Sequence, residues 1–545
     1  MKKIKGNIVD IIGRDIYYGV VIVENDVIVD IQRLGEERKK KPYILPGFID
    51  AHIHIESSML TPVAFSKIAL RHGTVATVSD PHEIANVCGI DGIHFMLDNA
   101  AKSPLKFYFG APSCVPATTF ETAGAEITLK DIETLFKNPN IKYLSEMMNF
   151  PGVLYGDKAV MAKIKLAKKM GKQVDGHAPG LCGEEAKKYA AAGITTDHEC
   201  FTYEEALEKI GYGMNILIRE GSAAKNFEAL IPLMKEHPDK LMFCSDDKHP
   251  NDLDEGHINL LVKRALKAGY DFFDVLKAAS INPIQHYGLE VGTLKINDLA
   301  DFIIIDNLKK MQIQATFLQG KKVFNGKKVK VDAVKEIPIN NFGIGTISEQ
   351  DIAIDSEGKP IRVIEAKEGQ LITGALEVLP LANSKGELIS NVEEDILKIV
   401  VVNRYFEAKP AVAFIKNFGL KKGAIASSVA HDSHNIVAVG VSDADIILAI
   451  NTIIECNGGL SVAHKKKVKV LPLPLAGIMS VDKGKKVAKQ YIQVDKAAKK
   501  LGTKLHAPFM TLSFMSLLVI PSLKLSDKGL FDGNTFKFTN NFVDG

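Results

Sequence analysis

Two histidines lie one residue apart where a mostly apolar run of the sequence ends. They are His52 and His54, in the segment 46–56. On a β-strand, residues i and i+2 point to the same face, so both imidazoles would project together beyond the strand end. Two neutral imidazoles that share a face form half of a metal site. Paired surface histidines are the alternative, and further ligands would decide between the two.

Further imidazoles and carboxylates follow at the ends of later apolar runs. They are Glu146, His177, His198 and Asp246. Four imidazoles and two carboxylates can hold two divalent ions with one carboxylate between them, and ions about 3.5–4 Å apart can share a bridging hydroxide as nucleophile. Each residue alone could be an ion-pair partner, a loop residue or a buried core histidine. In order, at successive strand ends, they predict a binuclear metal site.

The elements that must position these residues alternate between strands and helices. Strands are predicted at 48–54, 74–78, 105–110, 141–148, 173–176, 194–197, 214–218 and 241–245. Amphipathic stretches such as 158–170 and 184–192 lie between them. Repeated βα units imply a parallel sheet, and eight of them imply a closed barrel whose catalytic side chains occupy the C-terminal strand ends.

Two regions flank this barrel, and 545 residues are too many for one core. Residues 1–45 and 287–335 carry short β-branched runs, including 292–294, and we expect them to pair as a small β-sandwich. The barrel then covers 46–286, and residues 340–545 mix strands with helices. The predicted fold class is α/β: a (β/α)8 TIM barrel inserted in a small β-sandwich, plus a C-terminal α+β domain.

Composition excludes several classes of protein. A formal net charge of +3, with 46% apolar and 24% charged residues, is that of an ordinary soluble protein without a nucleic-acid surface. The six cysteines are scattered without a CxxC pair, which fits a reducing compartment. The longest apolar stretch, 509–520, is too short and too interrupted to span a membrane. We therefore expect a cytoplasmic protein.

The motifs around these residues resemble the amidohydrolase superfamily, through the segments 46–54 (PGFIDAHIH), 279–283 (ASINP) and 292–301 (GTLKINDLAD). The resemblance implies that His52 and His54 bind one ion with Asp246, that His177 and His198 bind the other, and that Glu146 bridges. Many relatives bridge with a carboxylated lysine, so Glu146 points away from dihydroorotases, hydantoinases and urease. Manganese or iron suits this mixed ligand set best, with zinc as an alternative.

Within the superfamily, the closer resemblance is to the bacterial-type adenine deaminases, and it covers nearly the whole chain. It is carried by 79–87 (SDPHEIANV), 111–116 (APSCVP), 175–179 (DGHAP), 196–199 (TDHE), 219–222 (REGS) and 430–435 (AHDSHN). Adenosine deaminases carry a glutamate soon after the strand-five histidine, where this chain has Pro179-Gly180. The resemblance implies hydrolytic removal of the 6-amino group of adenine, with the bridging hydroxide attacking C6.

Two carboxylates are candidates for proton transfer in such a reaction. Asp246, at once ligand and base, would pass a proton from the hydroxide to the leaving nitrogen. A one-residue shift in register would exchange Asp246 with Asp247. Glu83 is the candidate for protonating the ring, and a helix N-terminal carboxylate is the comparable alternative.

Other polar residues are candidates for substrate contact or an accessory role. We expect Arg219, Ser222 and Ser113 to bind substrate, although Arg219 could equally form a surface ion pair. The accessory candidates, which could face the active-site mouth or hold a further metal, are His82, His431, Asp432 and His434. A turn held by Asp and Asn side chains is the plain alternative for the last three.

Two rival functions are open from the sequence alone. One is a related amidohydrolase that acts on a cyclic amide or another nucleobase. The other is a barrel scaffold without chemistry, which we favour less because clustered buried ionisable groups are costly. The expected partner is a small purine, with neither nucleic acid nor membrane, and we expect a homo-oligomer, with a dimer as the guess.

Overall fold

The computed structural model describes residues 1–332 and 334–543. Its strands are β1 (Lys2–Asp10), β2 (Asp15–Glu24), β3 (Val27–Glu36), β4 (Tyr43–Pro46), β5 (Phe48–Ile53), β6 (Thr74–Ser79), β7 (Lys106–Ala111), β8 (Ile141–Met147), β9 (Gln173–Gly176), β10 (Thr196–Asp197), β11 (Asn215–Arg219), β12 (Leu241–Cys244), β13 (Phe302–Ile305), β14 (Ile313–Leu318), β15 (Lys321–Phe324), β16 (Ile361–Glu365), β17 (Gly374–Val378), β18 (Leu381–Ala382), β19 (Leu388–Ile389), β20 (Ile396–Val402), β21 (Ala411–Lys416), β22 (Ala424–Ser427), β23 (Ile436–Gly440), β24 (Gly459–His464), β25 (Lys467–Pro472), β26 (Leu523–Ser526), β27 (Gly529–Asp532) and β28 (Lys537–Phe538). Its α-helices are α1 (Pro62–Ala69), α2 (His82–Ala100), α3 (Leu129–Leu135), α4 (Phe150–Tyr155), α5 (Lys158–Lys169), α6 (Gly183–Ala191), α7 (Tyr203–Gly211), α8 (Phe227–Leu230), α9 (Pro250–Glu255), α10 (Ile258–Lys267), α11 (Phe272–Leu276), α12 (Asn282–Tyr287), α13 (Asp443–Glu455), α14 (Gly484–Lys500) and α15 (Pro508–Phe514).

Strands β5 to β12 form a closed parallel barrel. They pair in chain order within two sheets, β5 to β9 and β10 to β12. Backbone hydrogen bonds join the sheets at both edges: the Thr195 amide donates to the Val174 carbonyl, and the Asp246 amide donates to the His52 carbonyl, each at 2.9 Å. The predicted (β/α)8 barrel is therefore confirmed. Its eight strands all lie within the predicted runs or within one residue of them.

Helix α5 shows how local sequence sets the helices around this barrel. The Asp157 side chain accepts hydrogen bonds from the Ala159 and Val160 amides, which caps the helix N-terminus. Val160, Ile164 and Ala167 recur at helical spacing and are the buried residues of the helix. A helix of this kind covers the outside of the sheet and leaves the strand ends free for the site.

The two ends of the predicted β-sandwich pair in one seven-stranded sheet. Its order is β15-β14-β13-β4-β1-β2-β3, with β13 antiparallel to β4. The expected strand at 292–294 is not formed, because the Thr293 amide and hydroxyl both donate to the Asp298 carboxylate at 2.7 Å and hold the segment as a loop. This pairing supports the proposed division of the chain, whose boundaries at 45, 287 and 335 stay predictions.

The C-terminal region is built on an eight-stranded sheet in the order β17-β16-β21-β20-β23-β22-β24-β25. Ile446, Ile450 and Ile453 of α13 pack with Val400 and Ile436 in a second core on one face of this sheet. The turn between β22 and β23 and the helix α15 lie against the C-terminal end of the barrel. None of the described helices is long and apolar enough to span a bilayer.

Candidate active site

Strand β5 places His52 and His54 together at the C-terminal end of the barrel. Their Nε2 atoms are 3.2 Å apart, as residues i and i+2 of one strand predict. The Nδ1 of His54 lies 3.2 Å from the carbonyl oxygen of Asp80. Because a carbonyl can only accept, Nδ1 of His54 carries the proton. In the neutral imidazole, the Nε2 of His54 then keeps a lone pair that faces into the site.

Glu146, at the end of β8, lies between two pairs of histidines. Its Oε1 is 3.2 Å from His54 Nε2 and 3.9 Å from His52 Nε2. Its Oε2 is 2.6 Å from His177 Nδ1 and 3.1 Å from His198 Nε2. Burial raises the pKa of Glu146, but the His177 and His198 imidazoles outweigh burial and hold that pKa well below its usual range. One carboxylate oxygen thus faces each histidine pair.

Asp246 follows β12 and faces the first histidine pair. Its Oδ1 is 3.2 Å from His54 Nε2, and its Oδ2 accepts a hydrogen bond of 2.7 Å from Arg219. Burial raises the pKa of Asp246, but the Arg219 guanidinium outweighs it and holds the pKa well below the usual range. The backbone of Asp246 has φ 50°, a strained region for a non-glycine residue. Its neighbour Asp247 instead accepts a hydrogen bond of 2.5 Å from Ser57.

The side chains at these strand ends fit a divalent metal. Ligands about 2.1 Å from one cation lie about 3.0–3.4 Å from each other, close to the distances above. The donor atoms of His52, His54 and Asp246 lie within 4.8 Å of one another, as do those of the groups His177–His198–Glu199 and His52–Glu146–His198. All are buried, and imidazoles with carboxylates are the ligands of such ions.

Glu199 is a site residue that the sequence analysis quoted in a motif but did not assign. Arg219 donates from Nη2 to Glu199 Oε2 at 3.0 Å and from Nη1 to both Glu199 and Asp246. Arg219 is only 2% exposed, so the surface ion pair is wrong. Because its two terminal nitrogens are committed to carboxylates, the geometry favours a positioning role for Arg219 over the expected purine contact. The sequence did offer a signal for this contact: the motifs 196–199 and 219–222 stand at the ends of the adjacent strands β10 and β11.

The two serines expected to bind substrate point elsewhere. The Ser222 hydroxyl donates to Asp252 and accepts from the His249 amide at 2.8 Å. The Ser113 hydroxyl donates to the Glu146 carbonyl at 2.5 Å. Neither serine lines the cavity above the metal ligands. Both hydroxyls are therefore occupied by protein partners outside that cavity, Ser113 by the carbonyl of Glu146, and their expected contact with substrate stays a prediction.

A second cluster joins the barrel to the C-terminal domain. The Glu83 carboxylate contacts His431 Nδ1 and His434 Nε2, and His82 Nε2 lies 3.5 Å from Glu83 and 3.7 Å from Asp432. The Nδ1 of His434 accepts from the Ala430 amide at 3.2 Å, so its Nε2 carries the proton that is donated to Glu83. Burial raises the pKa of Glu83, but His431 and His434 outweigh it and hold the pKa well below its usual range.

The turn that carries this cluster faces the site. His82, Glu83, His431 and Asp432 line the cavity, whereas His434 lies behind Glu83. The donor atoms of His82, Glu83 and Asp432 also lie within 4.8 Å of one another. The accessory metal expected among His82, His431, Asp432 and His434 stays a prediction.

The cavity has a polar floor and an apolar roof. The floor is formed by the barrel residues, including Glu146, Asp246 and Asp247. The roof is formed by Leu371, Phe514 and Leu517 of the C-terminal domain, and the Phe514 ring centroid lies 5.2 Å from that of His431. The free volume is about 20 Å³, which is room for about one water. The described structure therefore leaves little free space above the proposed metal ligands.

Comparison with known proteins gives matches over both parts of the chain. The amidohydrolase family model matches residues 43–323, and the adenine deaminase C-terminal domain model matches residues 370–537. Proteins named adenine deaminase are similar over nearly their whole length. That of Sulfurovum sp. (strain NBC37-1) is 56% identical over 537 residues, covering 98% of this chain and 99% of the relative. Those of Methanosarcina mazei and Salinibacter ruber are 51% and 50% identical, with full coverage and 99% coverage of both chains respectively.

The contact between Glu83 and His434 can be tested for its contribution to stability, since it joins the barrel to the C-terminal domain. Glu83→Gln and His434→Ala should each lower the free energy of unfolding by about 1–3 kcal/mol, because the first removes the charge from this buried hydrogen bond and the second removes the bond itself. The double variant loses that bond only once, so the two effects should fall short of additivity by about 1 kcal/mol or more. Urea unfolding followed by circular dichroism measures this coupling.

The pair Asp495 and Lys499 on α14 is the matched control, since it is a more exposed ion pair four residues apart. Its coupling should be only about 0.3–0.5 kcal/mol. If the losses in unfolding free energy at Glu83 and His434 are strictly additive, the contact between the two side chains does not stabilise the fold.

Proposed function

Because the chain belongs to the amidohydrolase family and, within it, to the adenine deaminases, we propose that it hydrolyses adenine to hypoxanthine and ammonia. The observation that carries the proposal is the Glu146 carboxylate, with one oxygen facing each of two histidine pairs beside Asp246. The expected partner is a small purine substrate, and no nucleic acid or membrane is expected to bind. A cytoplasmic location and a homodimer stay predictions.

The exocyclic amine of adenine is a poor leaving group on an aromatic ring, so the attack at C6 needs an ionised water near neutral pH. We propose that two divalent cations, Mn²⁺ or Fe²⁺ with Zn²⁺ as an alternative, supply it by lowering the pKa of water toward about 7. His52, His54 and Asp246 would hold one cation, and His177 and His198 the other. Glu146 would bridge them.

Asp246 is the proposed proton carrier between water and leaving group. Its Oδ2 is fixed by Arg219, while Oδ1 faces the histidine pair and the cavity. A proton taken from the attacking water at Oδ1 has to travel only to the departing nitrogen at C6. Glu199 holds the other side of Arg219, so it positions Asp246 through the guanidinium. The two carboxylates therefore have different roles, one in proton transfer and one in orientation.

Glu83 is the proposed carrier of a proton to the purine ring. Because His431 and His434 hold its pKa below the usual range, Glu83 would first accept one proton of the attacking water and then deliver it to a ring nitrogen. Its carboxylate lies in the cavity wall, in contact with the imidazoles of His431 and His434. Attack at C6 places negative charge on the ring nitrogens, which a proton delivered from this wall would neutralise. His82 lies between Glu83 and Glu146, at 3.5 Å and 3.6 Å, and would keep the two carboxylates apart.

An assay of ammonia release from adenine tests the function directly. Protein loaded with Mn²⁺ should form hypoxanthine and ammonia, and treatment with a chelator should abolish both until metal returns. Asp246→Asn should lower kcat by about 100-fold or more, because the amide cannot accept the proton. Asp98→Asn, at an exposed position of α2, is the control and should keep the parent rate. Opening of a cyclic amide without ammonia release from adenine would favour the rival amidohydrolase function.

Removal of the proposed bridge gives a second test. Glu146→Gln keeps the size of the side chain but loses the charge shared by the two cations, so metal content should fall from two equivalents per chain to one or fewer. Mass spectrometry of dialysed protein for metal, with a parallel activity assay, measures both losses. Glu121→Gln is the control, since Glu121 is also buried but is none of the six proposed metal ligands. Full metal content in Glu146→Gln would contradict the bridging role.

A further inference from the structure

We propose that a second cavity in this protein binds a phosphate group, as inorganic phosphate or as a phosphate monoester. Its free volume is about 510 Å³, within the range of about 300–1,000 Å³ that is usual for small-molecule sites. Among the described residues, none lines both this cavity and the one above the proposed metal ligands. The inference therefore concerns a separate site and does not depend on the proposed deamination.

The wall of this second cavity contains a buried lysine, Lys248, which is only 6% exposed. Its Nζ donates one hydrogen bond, of 3.3 Å, to the Glu220 carbonyl. No carboxylate oxygen of residues 1–332 or 334–543 lies within 4.0 Å of this Nζ. An ammonium has three donors, and burial of its charge is costly without a compensating anion. Lys248 thus offers the cavity a positive charge and unused donors.

Two neutral donors lie in the same wall. Tyr491 and His249 are buried, line the cavity and have ring centroids 4.6 Å apart. Within the described part of the chain, neither the Tyr491 hydroxyl nor the His249 imidazole forms a hydrogen bond. Lys225 adds a second ammonium at the exposed rim. Several donors around one space match the acceptor oxygens of a phosphate group, and the ammonium groups supply the opposite charge.

The four carboxylates that line the cavity form no ion pair with Lys248 among the described residues. Three of them have partners of their own: Glu220 pairs with Arg264 at 2.9 Å, Asp495 pairs with Lys499 at 2.8 Å, and Asp252 accepts from the Ser222 hydroxyl. The fourth, Glu255, lies at the exposed rim. The charge of Lys248 is therefore the buried charge of this cavity that an anion can compensate.

The loop after β12 connects the second cavity to the catalytic site. Asp246 and Asp247 line the catalytic cavity, and the next two residues, Lys248 and His249, line the second one. Ser222 holds this loop, because its amide donates to the Asp247 carbonyl and its hydroxyl accepts from the His249 amide, both at 2.8 Å. A phosphate group in the second cavity joins the loop to α14 of the C-terminal domain. It thereby restrains the segment that carries Asp246.

Titration calorimetry on the full-length, Mn²⁺-loaded protein, freed of excess Mn²⁺, tests the site with inorganic phosphate and ribose 5-phosphate. At least one of them should bind with a Kd below about 1 mM, and the tighter one identifies the source of the phosphate group. Ribose, which lacks that group, should not bind. Lys248→Met should raise the Kd at least about tenfold, because an apolar side chain replaces the ammonium. Tyr491→Phe, which removes one donor, should raise it about threefold and replaces Lys248→Met if the latter does not fold.

Lys499→Met is the matched control, because Lys499 lines the same cavity but is paired with Asp495. Its Kd should stay within about twofold of the parent value. Equal binding by the parent and Lys248→Met would mean that the phosphate is held elsewhere, and it would overturn the proposal. No binding of either probe up to about 10 mM would overturn it as well.

Hydrogen exchange followed by mass spectrometry tests the restraint of the loop. A saturating concentration of the tighter probe should slow exchange of the amides in 246–252 at least about threefold in the parent and in Lys499→Met. The same probe should leave their exchange unchanged in Lys248→Met. Binding to the parent without slower exchange in this segment would contradict the connection to Asp246.

Discussion

The architecture of the site depends on one carboxylate, that of Glu146, buried between two pairs of imidazoles. Placing carboxylates and histidines together in a dry interior is unfavourable unless each is compensated. Arg219 compensates Asp246 on one side, and the Asp80 carbonyl fixes the tautomer of His54 on another. The remaining lone pairs belong to nitrogen and oxygen atoms that lie about 3 Å from one another. This is the spacing of ligand atoms around one cation. The barrel provides that convergence, because its parallel strands all end at one rim.

The C-terminal domain completes this site from above. Its turn supplies the two histidines that contact Glu83, and its helix α15 supplies Phe514 to the roof. The same domain thus pairs a buried carboxylate of the barrel with two imidazoles and covers the cavity with apolar side chains. Apolar cover strengthens the electrostatic interactions on the floor, because it lowers the local dielectric constant. Chemistry in the barrel and cover by the second domain are therefore linked through a shared set of side chains.

Much of this arrangement could be predicted from the sequence, for definite reasons. The alternation of strands and helices predicted the barrel, and the rule that side chains converge at strand ends predicted the approach of Glu146 to His52, His54, His177 and His198. These inferences need only local pattern and a known topology. They also distinguish the ligand positions from the apolar residues within each strand.

The rest depends on directions and partners that local sequence does not encode. Nothing near Ser222 indicates that its hydroxyl turns to Asp252, and nothing near Arg219 indicates that it binds Glu199. Phe514 lies in an apolar run that reads as ordinary core. Its place over the site follows from docking of a domain that lies beyond the whole barrel in the sequence.

The most direct test is an anomalous difference map from crystals of the protein grown with Mn²⁺. The account predicts two peaks, about 3.5–4 Å apart, on either side of the Glu146 carboxylate, one beside His52 and His54 and the other beside His177 and His198. A map without a peak at Glu146, with those four imidazoles turned away from one another, would contradict it.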